Sequence, residues 1–376
     1  MKYRLNYRLV ILILALGGLA VREVALELRP SFLRPGLHLF AYVGNTGDGT
    51  VTAADLVKLS SVATIPVGPA PTGIRANPTR KEIWGLSSTG GYAWVLDVTT
   101  NQVVARIAVG AEPYALDFSA DGSRAFVAAS GSNTVVAIDC ATREIVARVR
   151  AGHRPWIARI SPDGKLLLVS NRDDSTVSIL DAASLRSLAV VPVAPDPEQI
   201  AILPDGSKAF VTSGTRNQIS VVDLKRNVLL ANLALGGTPD ALILKPDGGE
   251  LYIPSGNAHG LLIVNTTTNE VGDFLLLGMS PSAATLTGDS QTLFVSDPAA
   301  NRVVPVAIQT RQIAQGRISV GQAPRTCQLT PGGDILVVVD TASDELAIIR
   351  ANIPSPILTT LIPTGSRPRD LAIKVF

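Results

Sequence analysis

The sequence is poor in the residues on which metal and cofactor sites usually depend. It has 2 cysteines and 3 histidines in 376 residues, and His38, His153 and His259 share no close spacing. Metal and haem sites need clustered ligands, so we expect neither a metal nor a cofactor. Two cysteines, Cys140 and Cys327, do not make a disulfide framework. We interpret both as small core or turn residues.

Charged residues are also sparse, at 17% of the chain, which argues against disorder, a coiled coil or a charged tail. The 33 basic residues nearly balance the 31 acidic ones, giving a net charge of +2. A groove that follows phosphates needs clustered Lys and Arg, so nucleic acid is not an expected partner. The hydrophobic fraction of 46% is enough for a large core.

The only long apolar run, Leu9–Ala20, lies at the N-terminus behind Lys2, Arg4 and Arg8. This pattern, with the small residues Gly18 and Ala20 at its end, predicts a signal peptide over residues 1–20 and a lead-in segment over 21–39. Twelve apolar residues are too few to cross a hydrocarbon core of ~30 Å as a straight helix. We therefore expect a periplasmic or secreted protein with no further membrane span, an uncleaved membrane tether being the alternative.

An internal repeat dominates the rest of the chain. The motif Gly-x-x-Pro recurs with almost constant spacing, and in one copy Ala194 replaces the glycine. Its prolines are Pro71, Pro113, Pro155, Pro197, Pro239, Pro281, Pro324 and Pro368. The step is 42 residues in the first five intervals, then 43 and 44. A fixed period of this size indicates a repeat architecture.

Two further elements keep the same period. Asp-Gly pairs between short apolar segments predict structural hairpin turns, because glycine accepts positive φ; they are Asp121-Gly122, Asp163-Gly164, Asp205-Gly206 and Asp247-Gly248. An acidic residue closes another apolar segment in five units, at Asp55, Asp97, Asp139, Asp181 and Asp223. We interpret this acidic series as turn caps. Each unit then contains four short strands with no room for a substantial helix, which predicts an all-β propeller of four-stranded antiparallel blades.

These motifs resemble the YVTN-type, YncE-like β-propeller repeat family. The signature stretch reads Tyr42-Val43-Gly44-Asn45, Leu168-Val169-Ser170-Asn171, Phe210-Val211-Thr212-Ser213 and Phe294-Val295-Ser296-Asp297. The resemblance covers about residues 40–376. It implies the fold and not an activity, and members of the family most often have seven blades.

The count in this chain favours eight blades, with seven as the alternative. Seven complete units run from Gly68 to Thr364. Residues 40–67 supply the later three strands of another unit, and residues 368–376 supply its first strand. Pairing of these terminal strands would close the ring and remove its open edges.

The face that carries the Gly-x-x-Pro loops is the predicted binding surface. The residue after each proline varies most, and the informative positions are Tyr114, Trp156, Glu198, Asp240, Arg325 and Arg369, with His153 and Arg154 beside them. Arginine binds carboxylate or phosphate, and aromatic rings offer stacking area. The structural alternative is that Glu198 and Asp240 balance Arg325 and Arg369 while the aromatics fill space between blades.

Catalytic motifs are missing from the sequence: it has no Gly-x-Ser-x-Gly elbow, phosphate loop or dinucleotide fingerprint. We therefore expect a non-catalytic, monomeric propeller that binds a protein, a peptide or a small polar ligand. A metal-dependent lactonase or hydrolase using Glu198, Asp240 and Asp117 is one alternative. Single-stranded DNA binding at Trp156 with Arg154 and Arg159 is another.

Overall fold

The computed structural model describes residues 38–314 and 316–376, so the predicted signal peptide and most of the lead-in segment lie outside it. The propeller is one compact unit, Leu39–Phe376. Each blade begins with an inner strand beside the central channel; these are β4 (Pro71–Ala76), β8 (Pro113–Phe118), β12 (Pro155–Ile160), β16 (Pro197–Ile202), β20 (Ile243–Leu244), β24 (Ala283–Leu286), β29 (Pro324–Leu329) and β33 (Pro368–Val375).

The two middle strands of each blade carry most of the core. The second strands are β1 (Leu39–Asn45), β5 (Glu82–Ser87), β9 (Arg124–Ala129), β13 (Leu166–Asn171), β17 (Lys208–Ser213), β21 (Glu250–Ser255), β25 (Thr292–Asp297) and β30 (Ile335–Asp340). The third strands are β2 (Thr50–Asp55), β6 (Tyr92–Asp97), β10 (Thr134–Asp139), β14 (Thr176–Asp181), β18 (Gln218–Asp223), β22 (Gly260–Asn265), β26 (Arg302–Ala307) and β31 (Glu345–Arg350).

The outer strands are β3 (Ser60–Pro66), β7 (Gln102–Ala108), β11 (Ile145–Arg150), β15 (Ser187–Pro192), β19 (Val228–Ala234), β23 (Glu270–Leu276), the pair β27 (Gln312–Ile313) and β28 (Ile318–Ser319), and β32 (Ile357–Pro363). Within the described residues the one helical element is a short 3-10 turn, Ser130–Ser132. The all-β, eight-bladed prediction is confirmed by eight separate antiparallel sheets. We number the blades 1 to 8 from β4, so that β33 and β1–β3 form blade 8.

Burial follows directly from the sequence pattern of each strand type. Second and third strands are packed between neighbouring blades on both faces and read as continuous apolar runs, as in β30, where all six residues are buried. The outer strands have one solvent-facing side, and β19 alternates exposed and half-buried residues along its length. Continuous and alternating runs are the expected signatures of these two environments.

Ring closure is also confirmed. Strand β33 pairs antiparallel with β1 from Leu39↔Val375 to Asn45↔Pro368, so the last strand of the chain completes the blade that the first strands begin. The ring of Phe376 stacks on Phe40 at 5.6 Å between centroids. Lys374 donates from Nζ to the carbonyl of Asn77 at 2.5 Å, which joins the closing blade to blade 1.

The blades alternate their loops between two ends of the ring. Because Pro155 pairs with Asn171, the Gly-x-x-Pro loops and the turns between second and third strands share one end, which we call the Gly-x-x-Pro face. The Asp-Gly turns occupy the other end, the Asp-Gly face, and φ lies between 67° and 77° at Gly122, Gly164, Gly206 and Gly248. On that face Asp139 Oδ1 accepts the backbone N–H groups of Ala141 and Thr142.

Blades 5 and 6 depart from the repeat. In the other six blades the residue before the motif proline has positive φ, between 47° and 55°. In blades 5 and 6 the positive φ lies instead at Gly236 and Gly278, and the inner strands shorten to β20, of two residues, and β24, of four. The ring is therefore complete but uneven, and its channel has walls of different regularity.

Candidate functional site

The predicted aromatic pair makes direct contact at the channel mouth on the Gly-x-x-Pro face. Tyr114, on β8, and Trp156, on β12, stack at 3.5 Å between ring centroids with 23° between their planes. The guanidinium of Arg172 lies over the Trp156 ring at 4.4 Å. Trp156 is half-buried and already stacks with Tyr114 and Arg172. The guanidinium of Arg154, the arginine that the sequence placed beside it, lies 5.9 Å from the Trp156 ring centroid.

The acidic residues of the mouth are held by other partners than the sequence suggested. Glu198 pairs with Arg172 at 3.0 Å. Arg172 also donates to the Asp196 carboxylate, from Nε at 2.5 Å and from Nη2 at 3.0 Å. The prediction that Glu198 balances Arg325 or Arg369 is wrong, because its ion-pair partner is Arg172, which lies in the turn after β13. Burial raises the pKa of Glu198, and the Arg172 charge opposes this rise.

Asp240 stands apart from this network. Its Oδ2 accepts the backbone N–H of Gly256 at 2.7 Å, and burial raises the pKa of its carboxyl. His153 and Arg154 lie at the outer rim, where the His153 ring contacts Asp174 Oδ1 at 2.7 Å and Arg154 is 4.0 Å from Asp173. Both residues lie in an exposed loop, and the Arg154 guanidinium is also 5.9 Å from the centroid of the Trp156 ring at the mouth.

Arg325 and Arg369 remain exposed. Among the described residues neither guanidinium has an ion-pair or hydrogen-bond partner. Of the two, Arg369 lines a cavity of about 150 Å³ that opens from the mouth into the channel. We call this the mouth cavity; its wall contains Thr72, Gly73, Arg75, Tyr114, Ala115, Leu116, Ile157, Arg159, Gln199, Arg369 and Asp370.

Arginines outnumber carboxylates at the mouth cavity: three guanidinium groups line it with one carboxylate, and a second carboxylate, Asp117, lies 3.5 Å from the Arg159 guanidinium. The lining carboxylate, Asp370, accepts the backbone N–H of Gly73 through Oδ2 at 2.7 Å. In the described part of the chain, Arg75 donates only to the carbonyl of its neighbour Ile74, at 3.0 Å. Burial lowers the pKa of Arg75, and the nearby Arg159 charge lowers it further, although a guanidinium stays protonated. Channel water still reaches Arg75, so its remaining donors are available to a ligand.

Sequence reasoning missed Arg75, Gln199 and Asp370 as members of this cavity. A signal was present in the repeat: the fourth residue after the motif proline is Arg75, Asp117 and Arg159 in three successive blades, whereas most other blades have an uncharged residue there. Arg172 and Asp196 were missed because they lie in loops, and only the folded ring brings them to Trp156.

The residues considered for metal-dependent catalysis do not form one cluster. Asp117 Oδ2 accepts the backbone N–H of Ile160 at 3.1 Å, Glu198 is held by Arg172, and Asp240 is held by Gly256. Over residues 38–314 and 316–376, no group of three His, Cys, Asp or Glu side chains is arranged to hold a metal ion. Both cysteines are free, and no helix in the described part of the chain is long and apolar enough to cross a membrane.

Comparison with solved structures finds the same architecture in several proteins. NirN, a dihydro-heme d1 dehydrogenase solved in complex with DHE, superposes with a TM-score of 0.76 at 16% identity, covering 88% of this chain and 74% of that one. Apo AztD from Citrobacter koseri gives 0.69 at 12% identity, covering 90% and 98%. Kuenenia stuttgartiensis hydrazine synthase gives 0.61 at 16% identity, covering 75% and 96%. At these identities the likeness concerns the fold.

A search of curated proteins finds no match. The sequence model of the YncE-like β-propeller matches residues 115–303, half of the 376-residue chain. This match agrees with the repeat and with the eight antiparallel blades. The chain belongs to the YncE-like β-propeller family.

Proposed function

We propose that this protein is a binding propeller that holds a small anionic ligand in the mouth cavity and carries out no reaction on it. The observation that carries the proposal is the set of arginines in the cavity wall. Arg75, Arg159 and Arg369 line the cavity; Asp117 pairs with Arg159 at 3.5 Å, whereas among the described residues Arg75 and Arg369 have no ion-pair partner. Guanidinium groups with free donors bind carboxylate or phosphate in a forked, two-point geometry.

The size of the cavity favours a small ligand. Its volume of about 150 Å³ is below the roughly 300–1,000 Å³ of sites for drug-sized molecules. Thr72, Tyr114 and Gln199 add neutral hydrogen-bonding groups to the wall. The blades hold these side chains in a rigid ring, which reduces the entropy lost on binding.

Extended polymers are less well matched to this mouth. Single-stranded nucleic acid needs free aromatic faces along a basic groove, whereas the Trp156 ring is already engaged by Tyr114 and Arg172. We further propose that the protein works outside the cytoplasm, which rests on the N-terminal sequence pattern alone.

Isothermal titration calorimetry with succinate and with inorganic phosphate tests the proposal. We expect at least one of the two anions to bind wild-type protein, and Arg75→Gln to weaken that binding by about tenfold or more, the usual effect of losing a charge-assisted contact. Arg216→Gln is the matched control, because Arg216 is exposed on the same face and lies outside the cavity wall.

Three outcomes would contradict the proposal. They are no binding of either anion, binding by Arg75→Gln as tight as by wild type, and a loss of affinity in Arg216→Gln as large as in Arg75→Gln. The last result would mean that only the general charge of the face matters. Thermal melts of each variant establish that the fold is retained.

A further inference from the structure

A second concave surface lies at the opposite end of the channel. On the Asp-Gly face, a groove of about 380 Å³ runs across the inner strands of blades 2 to 5. We call it the apolar groove; its main wall residues are Phe118, Arg159, Ile160, Ile202, Leu242 and Leu244. It is separate from the loops that form the Gly-x-x-Pro mouth.

The shortened inner strand of blade 5 leaves this groove open. Regular inner strands have six residues, whereas β20 has only Ile243 and Leu244. Leu242, Leu244 and Ile160 are consequently half-buried and accessible from the groove, while Phe118 and Ile202 form its floor at 7% and 8% exposure. Apolar area held half-open at a concave surface is the normal lining of a small-molecule site.

A single charged group stands in this apolar wall. Arg159 is the one charged side chain among the described residues that line the groove. Within residues 38–314 and 316–376 its one polar side-chain contact is with Asp117 Oδ2 at 3.5 Å, and that oxygen already accepts the N–H of Ile160 at 3.1 Å. A guanidinium has five N–H donors, so most of those on Arg159 have no partner in this part of the chain.

From this arrangement we infer that the apolar groove binds a small amphipathic monocarboxylate. The carboxylate lies against Arg159, and the apolar body covers Leu242, Leu244 and Ile160. Charge complementarity selects an anionic head group, and burial of the body supplies most of the binding free energy. The volume of the groove falls in the usual range of small-molecule sites. A fatty acid and an aromatic acid share this chemistry.

The inference does not depend on the proposed function. Arg159 lines both cavities, but Arg75 lines only the mouth cavity and Leu244 only the apolar groove, so Arg75→Gln and Leu244→Ala distinguish the two sites. Binding at the apolar groove requires a hydrophobic body, which succinate and phosphate lack.

Titration calorimetry of the full chain with decanoate and with hydrocinnamate tests the groove and distinguishes the two sources. We expect at least one of them to bind, and both acetate and decanol to bind about tenfold more weakly or not at all, because each lacks half of the recognised chemistry. Arg159→Gln should weaken carboxylate binding by about tenfold or more. Leu244→Ala should weaken it by about threefold or more through lost apolar contact.

Arg226→Gln is the matched control, since it makes the same change at an exposed arginine on the same face, in the turn between β18 and β19. It should leave binding unchanged. The inference is overturned if neither carboxylate binds, if decanol binds as tightly as decanoate, or if Arg159→Gln and Arg226→Gln bind alike. Circular dichroism melts of all three variants show whether the fold is intact.

Discussion

Two buried aspartates at equivalent positions of their blades face neighbours of opposite charge. Asp297 and Asp340 both end the second strand of a blade, where other blades have Asn45 or Asn171. Asp297 is paired across the turn with Arg302 at 2.9 Å. Asp340 faces Glu345 in the same register. Burial raises the pKa of Asp340 to about 7, and the Glu345 charge adds to that rise.

The raised pKa predicts a pH-dependent loss of stability. An unfolded aspartate has a pKa near 3.9, so between about pH 4 and pH 7 the folded state holds the extra proton and its stability falls as the pH rises. Asp340→Asn should therefore raise the free energy of unfolding at pH 8 by about 2–4 kcal/mol, and by less at pH 5. Denaturant titrations at the two pH values measure this difference.

A second variant separates charge from shape at this position. Glu345→Arg recreates the pairing of Asp297 with Arg302 and should also stabilise the protein at pH 8. Equal stability of wild type and both variants at pH 8 would show that Asp340 carries no electrostatic cost.

At the scale of elements, neighbouring blades are joined by a repeated polar tie. The first residue of a second strand contacts the turn between the third and outer strands of the next blade: Glu82 binds Arg143 at 3.0 Å, Lys208 binds Asn269 at 2.9 Å, and Glu250 binds Arg311. Glu82 also accepts Trp84 Nε1–H at 2.9 Å. The two residues of a tie are 61 positions apart in the sequence, which is one repeat plus part of the next.

Breaking one tie should cost more than a surface ion pair. Glu82 is 6% exposed and Arg143 is 26% exposed, so Glu82→Gln leaves a largely buried guanidinium without its counter-charge. We expect a loss of about 2–3 kcal/mol in unfolding free energy, measured by urea denaturation. Arg80→Gln removes a more exposed contact to the same carboxylate and should change stability by less than about 1 kcal/mol. Similar effects of the two variants would contradict the assignment.

Several elements could be predicted from the sequence, and others could not. The blade count could be predicted from the 42-residue period, because all eight units have the motif proline and four of them also have the Asp-Gly hairpin signal. Blades 5 and 6 have the motif proline at the usual spacing although their inner strands are shortened, so the repeat does not indicate the shortening. The partner of Glu198 was unpredictable for a different reason: Arg172 lies in the preceding blade, and its long side chain reaches Glu198 across the blade interface.

At the scale of the whole molecule, the ring depends on its last strand. Without β33, strand β1 would expose an unpaired edge whose seven residues are all buried in the closed ring. Deleting residues 367–376 should therefore lower the melting temperature and cause aggregation, because an exposed apolar edge recruits other strands. Differential scanning calorimetry and light scattering measure the two effects.

A peptide of residues 367–376 added in excess should restore part of the lost stability, since β33 pairs with β1 through main-chain hydrogen bonds. Closure by this strand would be contradicted by an unchanged melting curve after the deletion. It would also be contradicted if the added peptide left the melting temperature of the shortened protein unchanged.

The uneven ring also explains why function must come from differences between blades. The same unit is used eight times, yet Arg75 and Arg159, four residues after the motif proline in blades 1 and 3, correspond to the uncharged Ile243 and Thr285 in blades 5 and 6. Arg369, directly after the proline of blade 8, corresponds to the acidic Asp240 in blade 5. The arginines of the cavity are thus confined to one side of the channel. This asymmetry is what assigns an anion to the mouth cavity.

The most direct test of this assignment is the anomalous diffraction of crystals soaked in selenate, a divalent oxyanion whose selenium can be located without bias. The mouth cavity should hold the strongest selenium peak, within hydrogen-bonding distance of Arg75, and the peak should disappear in crystals of Arg75→Gln. The assignment would be contradicted if selenium were found only at exposed arginines outside the cavity, at the same positions in wild type and in Arg75→Gln.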